Sequence, residues 1–138
     1  MIPEEGGVEL YELDNDTLKQ KCRDWQFDDC TCCLEDVSSS PQMGVKSAFS
    51  FGHSSGYIKG VLESHFIPYQ LIRPATWKKE FGCNLSKSVP QKDKKAKDVE
   101  VCKRLFPTVS LRKTPRCKTD WPDAADAILM AEYARRRL

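Results

Sequence analysis

The chain is poor in histidine, with only His53 and His65 among 138 residues, and it has no apolar stretch near the ~18 residues a membrane-spanning helix requires. No signal-peptide pattern opens it. An intracellular location is therefore expected. Internal repeats and long low-complexity tracts are also missing, which leaves solenoids and disordered tails without support. The seven cysteines are an odd number, and a chain of 138 residues can bury a core of its own, so a disulfide framework is not expected. Cys30-x-x-Cys33 has the spacing of half a zinc site, but Cys22, Cys83, Cys102 and Cys117 provide no second pair. The cysteines read better as small buried hydrophobes. Neither histidine has a companion that would give it a catalytic role.

What is present is uneven charge on an ordinary soluble composition, 40% hydrophobic and 30% charged. The net charge is only +2, yet residues 1–36 carry eleven Asp/Glu against three Lys/Arg, whereas residues 71–118 carry fourteen Lys/Arg against four Asp/Glu. Such asymmetry is the electrostatic footprint of a nucleic-acid binder, since neutralising phosphates releases counterions. A solvated basic face without a partner is the bland alternative.

Periodicity predicts alternating elements. A short strand is expected over Gly7–Leu13 and a helix over Asp16–Trp25, followed by a buried strand at Cys30–Glu35. A helix over Gly44–Ser64 follows, in which Ala48, Gly52, Gly56 and Gly60 recur every four residues. That ridge suits close approach to another backbone, either a sheet or a twin subunit. A strand over Ile67–Ile72 leads to a short helix at Trp77–Phe81. A helix at Lys94–Leu105 is expected to bury Val99, Cys102, Leu105 and Phe106, and Pro122–Arg136 closes the chain as a helix. Strands separated by helices read as α/β, a mixed sheet with helices on its faces.

Two carboxylates, Asp123 and Asp126, lie three residues apart at the start of the last helix and so share a face. Pro122 suits an early helical position, and the helix N-terminus favours nearby anions. Paired and ionised, they have the chemistry to hold a hard divalent cation. Simple capping explains them equally well. Glu35, at the carboxyl end of the predicted central strand, is a third candidate ligand, the position where α/β folds often carry functional groups.

These residues, in this order, resemble the RuvC-like Holliday junction resolvases, especially the small phage-type members of the ribonuclease H-like nuclease superfamily. The resemblance runs from about residue 7 onward. It rests on Glu35, the small-residue helix, the segment Leu71-Ile72-Arg73-Pro74-Ala75-Thr76-Trp77-Lys78-Lys79, the lysine-rich Lys92–Lys97, Leu105-Phe106-Pro107 and the closing Asp-Ala-Ala-Asp-Ala. It implies one ribonuclease H-like domain over residues 1–138, with a mixed sheet flanked by helices. The family's four carboxylates find three matches, Glu35, Asp123 and Asp126. The first-strand hydrophobic-Asp-x-Gly has none, so the chain reads as lacking its first strand. Asp14 and Asp16 follow the wrong strand to replace it.

The resemblance further implies a crossover junction endodeoxyribonuclease of DNA recombination and repair. It would hydrolyse phosphodiesters with two Mg²⁺ or Mn²⁺ ions held by Glu35, Asp123 and Asp126. Lys78 and Lys95 would stand near the scissile phosphate, with Lys79, Lys94, Arg73 and Lys118 as further DNA contacts. A homodimer acting on a four-way junction, away from membranes, in the cytoplasm of a bacterium or a phage-infected host, is the corresponding setting. The alternative is a catalytically silent DNA-binding or assembly module of the same fold. A third possibility is another ribonuclease H-like enzyme acting on hybrids.

Overall fold

A computed structural model describes residues 7–12 and 14–138. Among them, five helices and two strands form in the order α1 (Asn15–Trp25), β1 (Cys32–Glu35), α2 (Val45–Ser64), β2 (Tyr69–Ile72), α3 (Pro74–Glu80), α4 (Gln91–Leu105) and α5 (Pro122–Arg137). The elements fall into two compact units, one over Tyr11–Arg73 and the other over Pro74–Leu138 with the stretch up to Leu10.

In the first unit, Asp14 caps α1 by accepting the Thr17 backbone N–H at 2.7 Å, so the helix starts at Asn15, one residue before the Asp16 start that the sequence suggests. α1 packs against α2 through Leu18 and Cys22, which cluster with Val61, Leu62 and Ile67. α2 carries the chain between the parallel strands β1 and β2, whose register pairs Cys32 with Tyr69 and Glu35 with Ile72. The helix ends in a Schellman arrangement, with the Phe66 N–H bonded to the Glu63 carbonyl and the Ile67 N–H to the Leu62 carbonyl. That turn requires a left-handed residue, and Phe66 takes it at φ 56° while standing 91% exposed.

The second unit is helical. α5 packs on both α3 and α4 and buries Ala124, Ala125, Ile128, Leu129 and Glu132, a stripe at three- and four-residue spacing. Trp77 of α3 is fully buried, and α3 also ends in a Schellman turn. Here Gly82 supplies the left-handed residue at φ 67°, and the Cys83 N–H reaches the Lys78 carbonyl at 2.7 Å.

This architecture overturns the expected ribonuclease H-like fold. A central mixed sheet is replaced by a single open pair of four-residue parallel strands among the described residues. The physical reason lies in β1, which pairs along one edge only. Cys32, Cys33 and Leu34 are therefore half-buried and Glu35 is exposed, where a strand flanked on both sides would have hidden all its apolar residues. Residues 7–12 form no strand, and Leu13 lies outside the described residues, as does the stretch 1–6 on which the expectation of a missing first strand rested. The expected packing of the glycine ridge on a sheet is corrected too: among the described residues of the chain, a Cβ built on Gly52, Gly56 or Gly60 meets nothing within 4 Å. Among the described residues no helix is long and apolar enough to cross a membrane.

Candidate functional site

The densest charged chemistry lies in the second unit, where α3, α4 and α5 each send polar side chains inward. α4 buries Asp98, Val101 and Cys102, residues sharing one helix face, so an acid occupies a position on an otherwise apolar stripe. Asp98 is completely buried and accepts a hydrogen bond at 2.5 Å from the Lys78 ammonium, itself mostly covered. Removing two charges from water is costly, and their pairing recovers stability only through close geometry and further hydrogen bonds. The second Asp98 oxygen, Oδ1, is buried without a donor.

Asp126 of α5 lies beside it. Its Oδ1 is likewise buried without a donor. Desolvation pushes the Asp126 carboxyl up to about 7, and the Asp98 charge and a hydrogen bond to Asp98 add to the rise against the opposing Lys78 and Lys95 charges. A proton held on Asp126 is thus the donor this pair of acids otherwise lacks. The expectation that Asp126 stays ionised is corrected: proximity to a helix N-terminus does not outweigh burial beside a second carboxylate.

Asp123, one turn earlier, has a different environment. It is exposed and bonded by Lys95 at 2.5 Å, which holds its carboxyl below the usual range. Two acids on one helix face therefore differ, the first ion-paired at the surface and the second half-buried with its carboxyl raised to about 7. Cys83 and Cys102 border the cluster, and burial drives both thiols up to about 11. Glu132, three percent exposed, closes the far end of α5 by binding Arg135 and Arg136.

No protein-family model matches the chain, and no curated protein matches it.

The three expected carboxylate ligands do not form a cation site. Glu35 ends β1 in the first unit, whereas Asp123 and Asp126 belong to the second. Among the described residues, no group of three or more His, Cys, Asp or Glu is arranged to hold a metal ion. The two-ion Mg²⁺ or Mn²⁺ assignment and the junction-cutting nuclease built on it are corrected accordingly. So is the likeness to RuvC-like resolvases, whose sheet this chain does not adopt. In physical terms, lysines occupy the places a divalent cation would need, Lys95 on Asp123 and Lys78 on Asp98.

The cations expected to touch DNA divide the same way. Lys78 and Lys95 are committed to these acids, and Arg73 faces Asp36 across an exposed 3.4 Å pair. Lys97 and Lys103 bind Glu100 and Asp120. Lys79, Lys94 and Lys118, by contrast, form no ion pair among the described residues, and neither do Lys87, Lys92, Arg104, Arg112 and Arg116. The sequence reading missed Asp98 altogether, although its spacing with Val101 and Cys102 is the available signal.

Proposed function

We propose that the chain is a catalytically silent DNA-binding module whose contacts come from the unpaired cations of residues 79–118. One observation carries this reading. Three of the four acids in that span, Glu80, Asp98 and Glu100, are absorbed in ion pairs with Arg137, Lys78 and Lys97, leaving Asp93, while eight lysines and arginines there form no ion pair among the described residues. Unpaired surface cations bind a phosphate backbone through counterion release and require no base contact. Lys79, Lys94 and Lys118 belong to this set, and Lys78 and Lys95 serve to hold the fold. Branched and linear DNA both present the necessary phosphates.

Incubating the full chain in Mg²⁺ with a fluorescein-labelled four-way junction and a matching duplex tests the proposal. Increased anisotropy with every strand intact on a denaturing gel is expected. Strand scission at a defined position, or no binding at 50 mM salt, contradicts it.

An assembly role is the second reading. The exposed apolar side chains Val45 and Phe49 on α2, beside a shallow groove of about 340 Å³, favour self-association through that helix. Sedimentation that returns a monomer at all concentrations removes it.

A further inference from the structure

The eight cations of residues 79–118 that form no ion pair among the described residues are not spread evenly. Arg112, Arg116 and Lys118 lie with Lys113 in one loop, residues 112–120, in which Asp120 is the only acid. Asp120 is already bound by Lys103 of α4 at 2.5 Å. The free lysines Lys92 and Lys94 of α4 instead flank Asp93, which dilutes their local field.

The loop is also closed at its neck. Trp121 donates its backbone N–H to the Leu111 carbonyl at 2.7 Å, and Leu111 is buried at 2% exposure. Inside the loop, the Cys117 N–H bonds the Thr114 carbonyl, and Lys113 lies 5.1 Å from the centre of the Trp121 ring. Arg112, Thr114, Pro115, Arg116, Lys118 and Thr119 stand exposed. The Cys117 thiol is lowered first by hydrogen bonds from Thr114 and then, to a smaller extent, by the Lys113 and Arg112 charges.

We propose that this pinned loop is the element that grips the DNA backbone, an inference that rests on the DNA-binding reading above. A loop with a fixed neck loses less conformational freedom on docking than an open one, so its cations deliver more of their attraction as affinity. Arginine forks at 112 and 116 suit bidentate contact with phosphate oxygens, and the Thr119 hydroxyl adds a neutral donor of the kind that positions a backbone.

The test compares three full-length proteins binding a labelled duplex from 50 to 200 mM salt: the native chain, the loop variant R112A/R116A/K118A, and a control, K19A/K46A/K59A, that removes the same charge from the first unit. Each phosphate contact contributes about 0.9 to the slope of log affinity against log salt. The loop variant should lose about 2–3 from that slope and bind about tenfold to hundredfold more weakly at the low-salt end. The control should keep the native slope within about one contact. Far-ultraviolet circular dichroism should be unchanged in both. A loop variant that binds like the native chain overturns the loop assignment and leaves DNA binding standing. Equal losses in loop variant and control also overturn it, by reducing the effect to net charge. A native chain that binds heparin and no DNA sinks both this inference and the reading beneath it.

Discussion

Replacing Lys78 by methionine removes the cation from a buried acid pair and keeps most of the aliphatic stem. Asp98 is then left fully buried with neither oxygen hydrogen-bonded to a cation, Asp126 stands next to it, and only the Lys95 charge acts on the pair from farther off. Breaking a buried pair from one side costs about 3–5 kcal/mol. The lower end, about 3 kcal/mol at pH 7, is expected because the two carboxyls can share a proton between them. Taking up that proton is easier in acid, so the loss should shrink to about 1–2 kcal/mol at pH 5. Urea unfolding followed by tryptophan emission measures it, with Trp25→Phe in the background so that Trp77 and Trp121 report on the second unit alone. Asp98→Asn should cost less than Lys78→Met, since Asp126 remains to face the lysine. A loss below about 1 kcal/mol, or one that does not change between pH 5 and 7, refutes the buried-pair reasoning.

Further outcomes follow from the same geometry. Because the Asp126 carboxyl is raised to about 7, the native state holds a proton between about pH 4 and 7 that the unfolded chain has released, so this group's contribution to stability falls as pH rises through that window. Asp126→Asn should therefore match the native chain near pH 4–5 and exceed it by on the order of 1 kcal/mol at pH 8, after allowance for screening of a half-buried group; equal stability at pH 8 contradicts the shift. Gly56→Ala in α2 meets no neighbouring atom, and alanine is the better helix former, so chemical denaturation should show a gain of about 0.5–1 kcal/mol. Phe66→Gly, at a left-handed position, should stabilise by about 1 kcal/mol, and a loss there refutes the strain assigned to φ 56°. Thiol labelling at neutral pH should modify Cys117 first and the buried Cys22, Cys83 and Cys102 last, because hydrogen bonds from Thr114 lower the Cys117 thiol while the others are shut away from reagent.

The helices were legible in the sequence because their signals are local. Pro122 marks the start of α5, and the Ala124, Ala125, Ile128, Leu129 spacing predicts the face it buries. The longest helix, α2, also falls within a residue of its expected limits. The sheet was not legible. A short apolar run such as Cys30–Glu35 is compatible with a strand paired on both edges or on one, and residue pattern does not count its partners. Depth was hidden for a similar reason. Periodicity places Asp123 and Asp126 on one face of α5, yet only the packing of α3 and α4 decides that one is exposed to Lys95 and the other enclosed with Asp98. The acid at 98 was overlooked because the expected buried face of α4 was drawn through Val99, when the observed one runs through Asp98, Val101 and Cys102.

The acids at the start of α5 are settled by Lys95 on Asp123 and by a proton on Asp126. Carbon-13 NMR of the Asp126 carboxyl across pH 3–9, with and without 10 mM Mg²⁺ (about the concentration of a routine assay), tests it most directly. The expected titration has its midpoint near 7 and is unmoved by the cation. A midpoint in the ordinary carboxylate range, or one displaced to lower pH when Mg²⁺ is added, contradicts it.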